Sequence, residues 1–291
     1  MIHWDPNPDL IIIPVLNWPI KWYGFFFALG FALGFPIFKN LLSRCFRLQG
    51  EAEADLKKKA LQITDRLIIY IVVATIAGAK LGHILFYESP KEFLKNPFGM
   101  LLSREGLASH GAAIAILIAL WLFARWTKKL APDLGWLRLL DYISIPTALA
   151  GGFIRLGNFM NQEILGTPTS MPWGIVFGHP VDGSLPIARH PVQIYEALFY
   201  FAVFFLLWRL SFKPKILLAK GWLIGLFLLL VFSFRFFIEF FKEEQSQLVS
   251  MGGGLTMGQW LSIPFVLLGA ALLCISCMRC RKFRSGRSGG V

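Results

Sequence analysis

The chain has 291 residues, of which 56% are hydrophobic and 15% are aromatic, and its formal net charge is +12. A water-soluble domain of this length would contain more charged residues and fewer phenylalanines, so the composition excludes that class of protein. Several apolar runs approach or exceed the roughly 18 residues that cross a bilayer as a helix. The sequence therefore predicts an all-α polytopic membrane protein.

Seven apolar segments follow one another along the chain, and we expect each of them to form one transmembrane helix. In chain order the expected spans are residues 20–38, 63–87, 109–126, 142–159, 192–210, 221–241 and 257–277. The fourth is the least clear, because Arg155 and several glycines dilute it. No long linker separates the spans, so residues 1–291 are predicted to form a single integral membrane domain.

Basic residues follow the first, third, fifth and seventh spans. They are Lys39, Arg44, Arg47, Lys57, Lys58 and Lys59, then Arg125, Lys128, Lys129 and Arg138, then Arg209, Lys213, Lys215 and Lys220, and finally Arg279, Arg281, Lys282, Arg284 and Arg287. With seven spans all four clusters fall on one side, which the positive-inside rule identifies as cytoplasmic. We therefore expect the amino terminus outside, the carboxy terminus in the cytoplasm and a basic cytoplasmic tail at 279–291. The net charge reports this orientation, and we expect no nucleic-acid partner.

Polar residues gather at the outer ends of the predicted spans. They are Tyr23, Lys80, His83, His110, Arg155, Asn158, Arg189, His190 and Arg235. At 1.5 Å per residue, Arg235 lies roughly 10 Å below the outer end of its helix. An arginine inside a membrane span is costly and usually faces a functional interior. The depth predicts a site for a lipid headgroup or for a membrane-anchored extracellular substrate.

The connection between the fourth and fifth spans, residues 161–190, is long and rich in proline. Long loops of this kind often form lids or binding elements, so we expect a small extracytoplasmic cap here. A passive connector is the alternative.

The cysteines offer little sign of a metal site. Cys274 and Cys277 have CxxC spacing and Cys280 extends it, but no second ligand pair accompanies them. The sequence predicts neither a metal nor another cofactor.

Six short blocks of sequence contain most of the polar residues at the outer side. They are WYG at 22–24, SHG at 109–111, RLGNFMNQEILG at 155–166, RHPVQIYE at 189–196, RFFIEFF at 235–241 and LTMGQWLS at 255–262. Their content and order resemble the prolipoprotein diacylglyceryl transferase family, a family of bacterial inner-membrane enzymes with seven spans and the amino terminus outside. The resemblance implies the same localisation, with the active site toward the outer leaflet.

The resemblance also implies a reaction. The family transfers the sn-1,2-diacylglyceryl group of phosphatidylglycerol to the lipobox cysteine thiol of a prolipoprotein. A thioether forms and glycerol 1-phosphate is released, in the first step of bacterial lipoprotein maturation. The implied partners are phosphatidylglycerol, prolipoprotein signal peptides with a lipobox cysteine, and membrane lipids.

Three residues match catalytic positions of the family. Arg155 and Arg235 would clamp the phosphoglycerol headgroup, because a guanidinium presents a fork of donors that fits phosphate oxygens. The alternative for these arginines is an internal salt bridge, of Arg155 with Glu163 and of Arg235 with Glu239. His110 is the candidate general base for the thiol. Its alternative is a membrane-interface histidine bonded to a backbone carbonyl.

Further matches imply substrate-binding positions, in addition to the two arginines, at Tyr23, Asn158, Glu163, Gly166 and Glu239. The tyrosine would hydrogen-bond the headgroup, and the glycine is expected to serve a turn. Asn158 lies one helical turn after Arg155, so both can face one ligand. We expect Glu163 to hold Arg155 in position and Glu239 to orient Arg235.

Some matching positions receive no role. Asn161 is either a helix cap or a ligand contact, and Lys80 stands where the family pattern leads us to expect arginine. No role follows for Tyr195 or Glu196.

Two other classes of function remain open. A phospholipid or anion transporter would place polar residues through the midplane to both faces. A non-catalytic lipid-binding membrane protein would need the arginines but neither His110 nor a cap.

Overall fold

The computed structural model describes residues 1–14, 18–103, 106, 108–243 and 254–288. Seven of the described helices are long and apolar enough to cross a membrane. They are α1 (Trp22–Leu48), α2 (Glu53–Tyr87), α5 (Ser109–Thr127), α6 (Trp136–Met160), α7 (Val192–Ser211), α9 (Trp222–Ile238) and α10 (Met257–Ser288). Short helices α3 (Pro90–Lys95), α4 (Pro97–Leu102) and α8 (Pro214–Leu217) lie between them. The predicted fold class and the number of spans are confirmed.

The chain divides into two compact units. The first contains Met1–Leu41 and Asp141–Val291, and the second contains Leu42–Leu140. The boundaries fall inside α1 and α6. Four helices bring the polar residues of the first unit together. Of these, α7 and α9 belong wholly to that unit, and α1 and α6 belong mainly to it.

The fourth span, α6, is the least apolar of the seven and also the most buried. In its most apolar stretch, 56% is buried inside the protein, against 17% for the corresponding stretch of α10. A helix that contacts mainly protein can keep polar residues and glycines that would be costly against lipid. This packing explains why the span was the hardest to recognise from hydropathy.

A buried carboxylate joins the beginning of α9 to α6. Asp141 of α6 accepts hydrogen bonds from the backbone N–H groups of Gly221, at 2.6 Å, and Ile224, at 3.0 Å. Free N–H groups at a helix start need such an acceptor, and the negative charge is favourable there. At the same level, the hydroxyl of Tyr142 donates to the carbonyl oxygen of Leu217. These contacts fix the position of α9 relative to α6.

Two aromatic stacks hold the middle of α9. Phe234 stacks on Phe199 of α7 with the ring centroids 3.9 Å apart, and Phe232 stacks on Phe265 of α10 at 4.3 Å. Stacked rings add to the free energy gained from burial alone. The orientation of α9 about its axis is therefore fixed on both sides.

Strands from distant parts of the chain form a small sheet in the first unit. β1 (Ile2–Trp4) pairs in parallel with β4 (Ile175–Phe177), which pairs antiparallel with β5 (Ala188–Arg189). A separate hairpin, β2 (Asp9–Ile13) and β3 (Trp18–Lys21), precedes α1. The segment predicted as a cap thus contains two strands, and the first residues of the chain complete its sheet.

A hydrophobic cluster lies beneath this sheet. Leu165, Ile175 and Phe177 are buried in it, and Trp4 and Phe159 pack against them. The indole of Trp4 stacks on Phe159 at 4.6 Å and donates a hydrogen bond to its carbonyl oxygen. The start of the chain is therefore anchored directly on the end of α6.

In the second unit, α2 and α5 are in close contact through small residues. A Cβ atom at Gly111 would lie 2.6 Å from the Cα atom of Gly82 and would collide with the carbonyl oxygen of Gly78. The backbone N–H of Ala108 donates to the carbonyl oxygen of Ala79 at 2.9 Å. Small residues allow membrane helices to approach this closely. The packing fixes the first turn of α5, which carries His110.

Candidate functional site

Arg155 is held on three sides near the end of α6. Its Nε atom lies 3.0 Å from Oε2 of Glu196, and its Nη1 atom donates to Oδ1 of Asn158 at 3.0 Å. The guanidinium also interacts electrostatically with the phenol of Tyr200. Its side chain is 15% exposed. Such a guanidinium is preorganised, because little conformational entropy is left to lose when a ligand binds.

Glu163 acts on Arg155 through Asn158. The Nδ2 atom of Asn158 donates to Oε1 of Glu163 at 2.7 Å, and Asn161 donates to the same oxygen at 3.3 Å. The direct salt bridge considered for Arg155 and Glu163 is replaced by this link, and Arg155 pairs with Glu196 instead. Asn161 therefore contacts the carboxylate and supports the same link.

The backbone around Glu163 has an uncommon conformation. Its neighbours Gln162 and Ile164 both have positive φ angles, +52° and +59°. The left-handed region is unfavourable for a β-branched residue, and such strain concentrates at functional sites. The side chain of Gln193 donates to the carbonyl oxygen of Glu163 at 2.8 Å and fixes the loop.

Tyr23, in the first turn of α1, packs beside the end of α6. A Cβ atom at Gly157 would lie 2.9 Å from Cδ2 of Tyr23, so the glycine makes room for the ring. The phenol interacts electrostatically with both Glu163 and Arg155. The structure thus brings together Tyr23, Arg155, Asn158 and Glu163, as the sequence blocks predicted.

Arg235 lies in the last turn of α9. Tyr200 interacts electrostatically with both Arg235 and Arg155, so the two guanidiniums lie near one buried phenol. Among the described residues, no carboxylate lies within ion-pair distance of Arg235. Arginine almost never loses its charge, and a charge within a membrane span is costly and usually marks a functional interior.

The expected pairing of Glu239 with Arg235 is not formed. The backbone remains helical as far as Glu239, whose N–H donates to the carbonyl oxygen of Arg235, but the two side chains form no ion pair. The carboxylate of Glu239 lies instead 3.9 Å from the ammonium of Lys242 and packs against Gly258 of α10. Among the described residues, Arg235 is thus left without the partner that the sequence suggested.

Gly166 permits a close backbone approach. A Cβ atom there would collide with the carbonyl oxygen of His190. The carbonyl oxygen of Gly166 accepts a hydrogen bond from Nη1 of the buried Arg189, which also pairs with Glu243. The role expected from the sequence, a turn, is therefore replaced by the contact between two segments.

Two residues that the sequence did not single out are central to this cluster. Lys242 lies 2.8 Å from Oε1 of Glu196, and Tyr200 lies one turn after Glu196 on α7. The spacing of four residues on a helix was a usable signal for Tyr200. Lys242 follows directly after the RFFIEFF block, but nothing in its sequence position indicates the buried partner.

Tyr195 links the loop before β4 to α7. Its hydroxyl accepts a hydrogen bond from the indole of Trp173 at 2.8 Å and lies 3.3 Å from Nδ1 of His190. Tyr195, which received no role from the sequence, therefore connects the predicted cap segment to a membrane helix.

His110, in the second unit, is exposed at the start of α5. Its ring contacts Phe86 at a centroid distance of 5.2 Å and Tyr87 at 5.8 Å. Among the described residues its imidazole has no hydrogen-bond partner, in particular no backbone carbonyl. In the same unit, Lys80 is buried and its Nζ atom donates to Oγ of Ser103 at 2.6 Å.

Comparison with known proteins gives a consistent result. The family model described as prolipoprotein diacylglyceryl transferase matches residues 10–275. The chain is 45% identical to the phosphatidylglycerol–prolipoprotein diacylglyceryl transferase of Tolumonas auensis over 95% of this chain and 98% of that protein. It is 37% identical to the protein of that name from Chlamydia trachomatis, over 95% and 98%, and 33% identical to the one from Protochlamydia amoebophila, over 94% of each.

Proposed function

The chain belongs to the prolipoprotein diacylglyceryl transferase family, and we propose that the cluster of Arg155, Arg235 and Tyr23 is where it binds its lipid substrate. The protein transfers the sn-1,2-diacylglyceryl group from phosphatidylglycerol to a cysteine thiol of a prolipoprotein. The sulfur forms a thioether with the glyceryl carbon, and glycerol 1-phosphate is released. This is the first step of bacterial lipoprotein maturation.

The reaction requires a stabilised leaving group. When sulfur attacks the glyceryl carbon, the carbon–oxygen bond to phosphate breaks and its electron pair stays on the phosphate oxygen. Fixed positive donors in a water-poor site stabilise such charge strongly. Arg155 would supply preorganised donors, and Arg235 would close on the phosphate from α9. The observation that carries this proposal is an intramembrane arginine that shares the electrostatic neighbourhood of Tyr200 with Arg155 and lacks a carboxylate partner among the described residues.

The other matching residues support the clamp. Tyr23 would donate its phenolic proton to the headgroup, and Asn158 would transmit the fixed position of Glu163 to Arg155. Gly166 keeps its loop in contact with His190 and so holds the Glu163 segment near the headgroup. Glu239, next to Lys242, contributes to the charge balance of the pocket.

His110 would accept the proton of the attacking thiol. A thiol with a pKa near 8.5 must become a thiolate before it attacks carbon, and histidine is suited to take a proton near neutral pH. The exposed imidazole contacts two aromatic rings but has no hydrogen-bond partner among the described residues, so its nitrogens are available to a substrate.

The site is proposed to face the outer leaflet of the bacterial inner membrane, with the amino terminus outside. The pairing of β1 with β4 supports this orientation, because it places the first residues and the 161–190 segment on the same side. The cap would then lie over the site where a signal peptide presents its lipobox cysteine.

Arg235→Ala tests the proposed clamp. We expect the variant to insert normally and to lose transfer by at least about a thousandfold, since loss of a single fixed donor to transition-state charge costs about 10²–10³ and the substrate contact is lost as well. The measurement uses labelled phosphatidylglycerol and a lipobox peptide in reconstituted membranes, with detection of the thioether product. Arg209→Ala is the control that should keep normal turnover, because Arg209 lies in the last turn of α7, away from Glu196 and Tyr200 near the start of that helix. Near-normal transfer by Arg235→Ala would remove this residue from the mechanism, and binding without transfer by the wild type would indicate a lipid-binding protein.

His110→Gln tests the proton acceptor. We expect turnover at neutral pH to fall by roughly 10²–10⁴-fold, the usual contribution of general acid–base catalysis. Raising the pH toward the pKa of a free thiol should recover part of the rate, because the thiolate then forms without the help of a protein base. Full activity with an unchanged pH profile would contradict the assignment.

A further inference from the structure

Glu196 is a fully buried carboxylate shared by two cations. Its side chain has 0% exposure, its Oε2 atom lies 3.0 Å from Nε of Arg155, and its Oε1 atom lies 2.8 Å from Nζ of Lys242. Burial of an ion is costly unless it is closely paired. Each oxygen of Glu196 lies within ion-pair distance of one cation, although Oε2 accepts no hydrogen bond from a described residue, so its charge is balanced mainly by electrostatic attraction. We call Arg155, Glu196 and Lys242 the ion triad.

The ammonium of the triad is held in place by backbone contacts. Lys242 forms a β-bridge with Gly166 just after α9 has ended. On either side, the backbone N–H of Thr167 donates to the carbonyl oxygen of Phe241 at 2.8 Å, and the backbone N–H of Glu243 donates to the carbonyl oxygen of Leu165 at 3.0 Å. The backbone of Lys242 is therefore held in place, so its ammonium reaches Glu196 from a fixed position and not from a mobile surface segment.

The charge of the triad differs from that of a simple salt bridge. One carboxylate between two cations leaves a net charge of +1 on these three side chains, whereas Arg155 and Glu196 alone would be neutral. Around the triad, the carboxylate of Glu239, 3.9 Å from Lys242, and the guanidinium of Arg235 add one charge of each sign and leave this sum unchanged. A carboxylate that satisfied a single arginine would compete with an incoming phosphate for its charge. With Lys242 present, the triad retains one positive charge, which matches the single negative charge of a phosphodiester.

We propose that Glu196 and Lys242 are positioning residues for the diacylglyceryl transfer. Glu196 orients the guanidinium of Arg155, and Lys242 offsets the carboxylate so that the guanidinium keeps its attraction for the phosphate of phosphatidylglycerol. This inference rests on the proposed function. It assigns opposite electrostatic effects to two residues that touch each other.

The two residues are therefore expected to give different signatures when they are changed. Lys242→Met keeps the length of the side chain and removes the charge, so the Kd for phosphatidylglycerol should rise roughly tenfold, about 1.4 kcal/mol. Lys242→Arg should bind within about threefold of the wild type. Glu196→Gln should not weaken binding, but kcat should fall roughly a hundredfold, because a guanidinium displaced by about 1 Å loses catalytic geometry.

The experiment measures both properties on one set of proteins. Binding of fluorescent phosphatidylglycerol to the purified full chain in detergent gives Kd, with zwitterionic phosphatidylcholine as the uncharged comparison. Transfer to a lipobox peptide gives kcat and KM. Lys59→Met is the matched control, because Lys59 forms a close ion pair with Glu51 at 2.6 Å in the other unit. It should change neither value.

If the ion triad only stabilised the fold, the experiment would give a different outcome. Both variants would then yield less folded protein, and the folded fraction would have wild-type Kd and kcat. That result, or a Kd that rises equally in Lys242→Met and Glu196→Gln, would overturn the inference. If Glu196→Gln does not insert, the contrast between Lys242→Met and Lys242→Arg still decides the charge effect.

The outcome also separates this inference from the proposed function. If the wild type transfers the lipid and Arg235→Ala does not, the proposed function stands whatever the triad variants do. If the wild type fails to transfer, or if Arg235→Ala remains active, the proposed function fails first.

Discussion

Arg155 and Arg235 approach the same phenol of Tyr200, but the protein holds them differently. Arg155 has partners in Asn158, Glu196 and Tyr200, whereas Arg235 has no ion-pair partner among the described residues. The first is a fixed part of the site, and the second can adjust to the ligand. A rigid donor paired with an adaptable one suits a lipid headgroup that enters from the side of a bilayer.

Replacement of each arginine by lysine tests this difference. Lysine keeps the charge but loses the planar fork of donors. In Arg155→Lys the single ammonium cannot serve three partners, so we expect kcat to fall roughly a hundredfold. In Arg235→Lys the loss should be about tenfold smaller. Initial rates of thioether formation at saturating phosphatidylglycerol decide the comparison, and equal losses would contradict the distinction.

Sequence located the arginines but not their partners. Arg155, Asn158 and Glu163 occur within nine residues, so a common site could be predicted from spacing. Glu196 lies 41 residues after Arg155, in a block whose role could not be derived, and its contact depends on how α6 packs against α7. The pairing of Arg235 with Glu239 seemed clear at four residues apart, but the carboxylate of Glu239 lies toward Lys242 and Gly258 of α10, which depends on how α9 packs against α10.

Among the helices, α9 is the element whose placement matters most for the site. Asp141 caps its first turn, Phe199 and Phe265 stack on its middle, and Arg235 lies in its last turn. The beginning and the middle are fixed by contacts that do not involve the site. The position of Arg235 is consequently set by the packing of the whole helix.

The loop after α6 depends on a glycine for its contact with the neighbouring segment. In Gly166→Ala the added methyl group would collide with the carbonyl oxygen of His190. The loop must move away, which shifts Glu163, so we expect transfer to fall roughly a hundredfold and thermal stability to decrease. Gly135→Ala is the control, because a Cβ atom at Gly135 meets nothing within 4 Å. Thermal stability and transfer rate are measured on both variants. If Gly166→Ala matched Gly135→Ala in both, the close contact of Gly166 with His190 would not be needed.

Apolar length predicted all seven spans, because hydrophobic thickness constrains membrane helices strongly. The observed helices are longer at some ends. The first extends to Leu48, and the second begins at Glu53, ten residues before the apolar run. These extensions mix charged residues with buried apolar ones such as Phe46 and Leu56, so their mean hydropathy is low and a hydropathy criterion does not include them.

For the whole molecule, the least predictable feature is the sheet formed by β1, β4 and β5. Its strands have two to three residues each, too short for a periodic pattern to appear. The register of β1 with β4 depends on contacts between opposite parts of the chain. Proline content and loop length predicted that 161–190 would have a structure of its own, but not that the first residues would join it.

Trp4→Ala tests whether the start of the chain stabilises the predicted cap. The change removes the stack on Phe159 and the indole hydrogen bond. We expect the 161–190 segment to open more often, so that cleavage there by an added protease rises roughly tenfold, while the seven helices remain inserted. Trp136→Ala is the control, since Trp136 is 41% exposed at the start of α6. Unchanged cleavage in Trp4→Ala would show that the sheet does not need this anchor.

The parallel pairing of β1 with β4 has a consequence for the order of biosynthesis. Ile2 pairs with Ile175, so the first strand is synthesised long before its partner exists. At about 5–20 residues per second, this delay is on the order of 10 to 35 s. In the proposed orientation, the leading strand waits on the outer surface while four spans enter the bilayer. The sheet can close only after β5 has been made, with three of the seven spans still to follow, so a newly made protein cannot acquire its anchored outer layer before the later part of its synthesis.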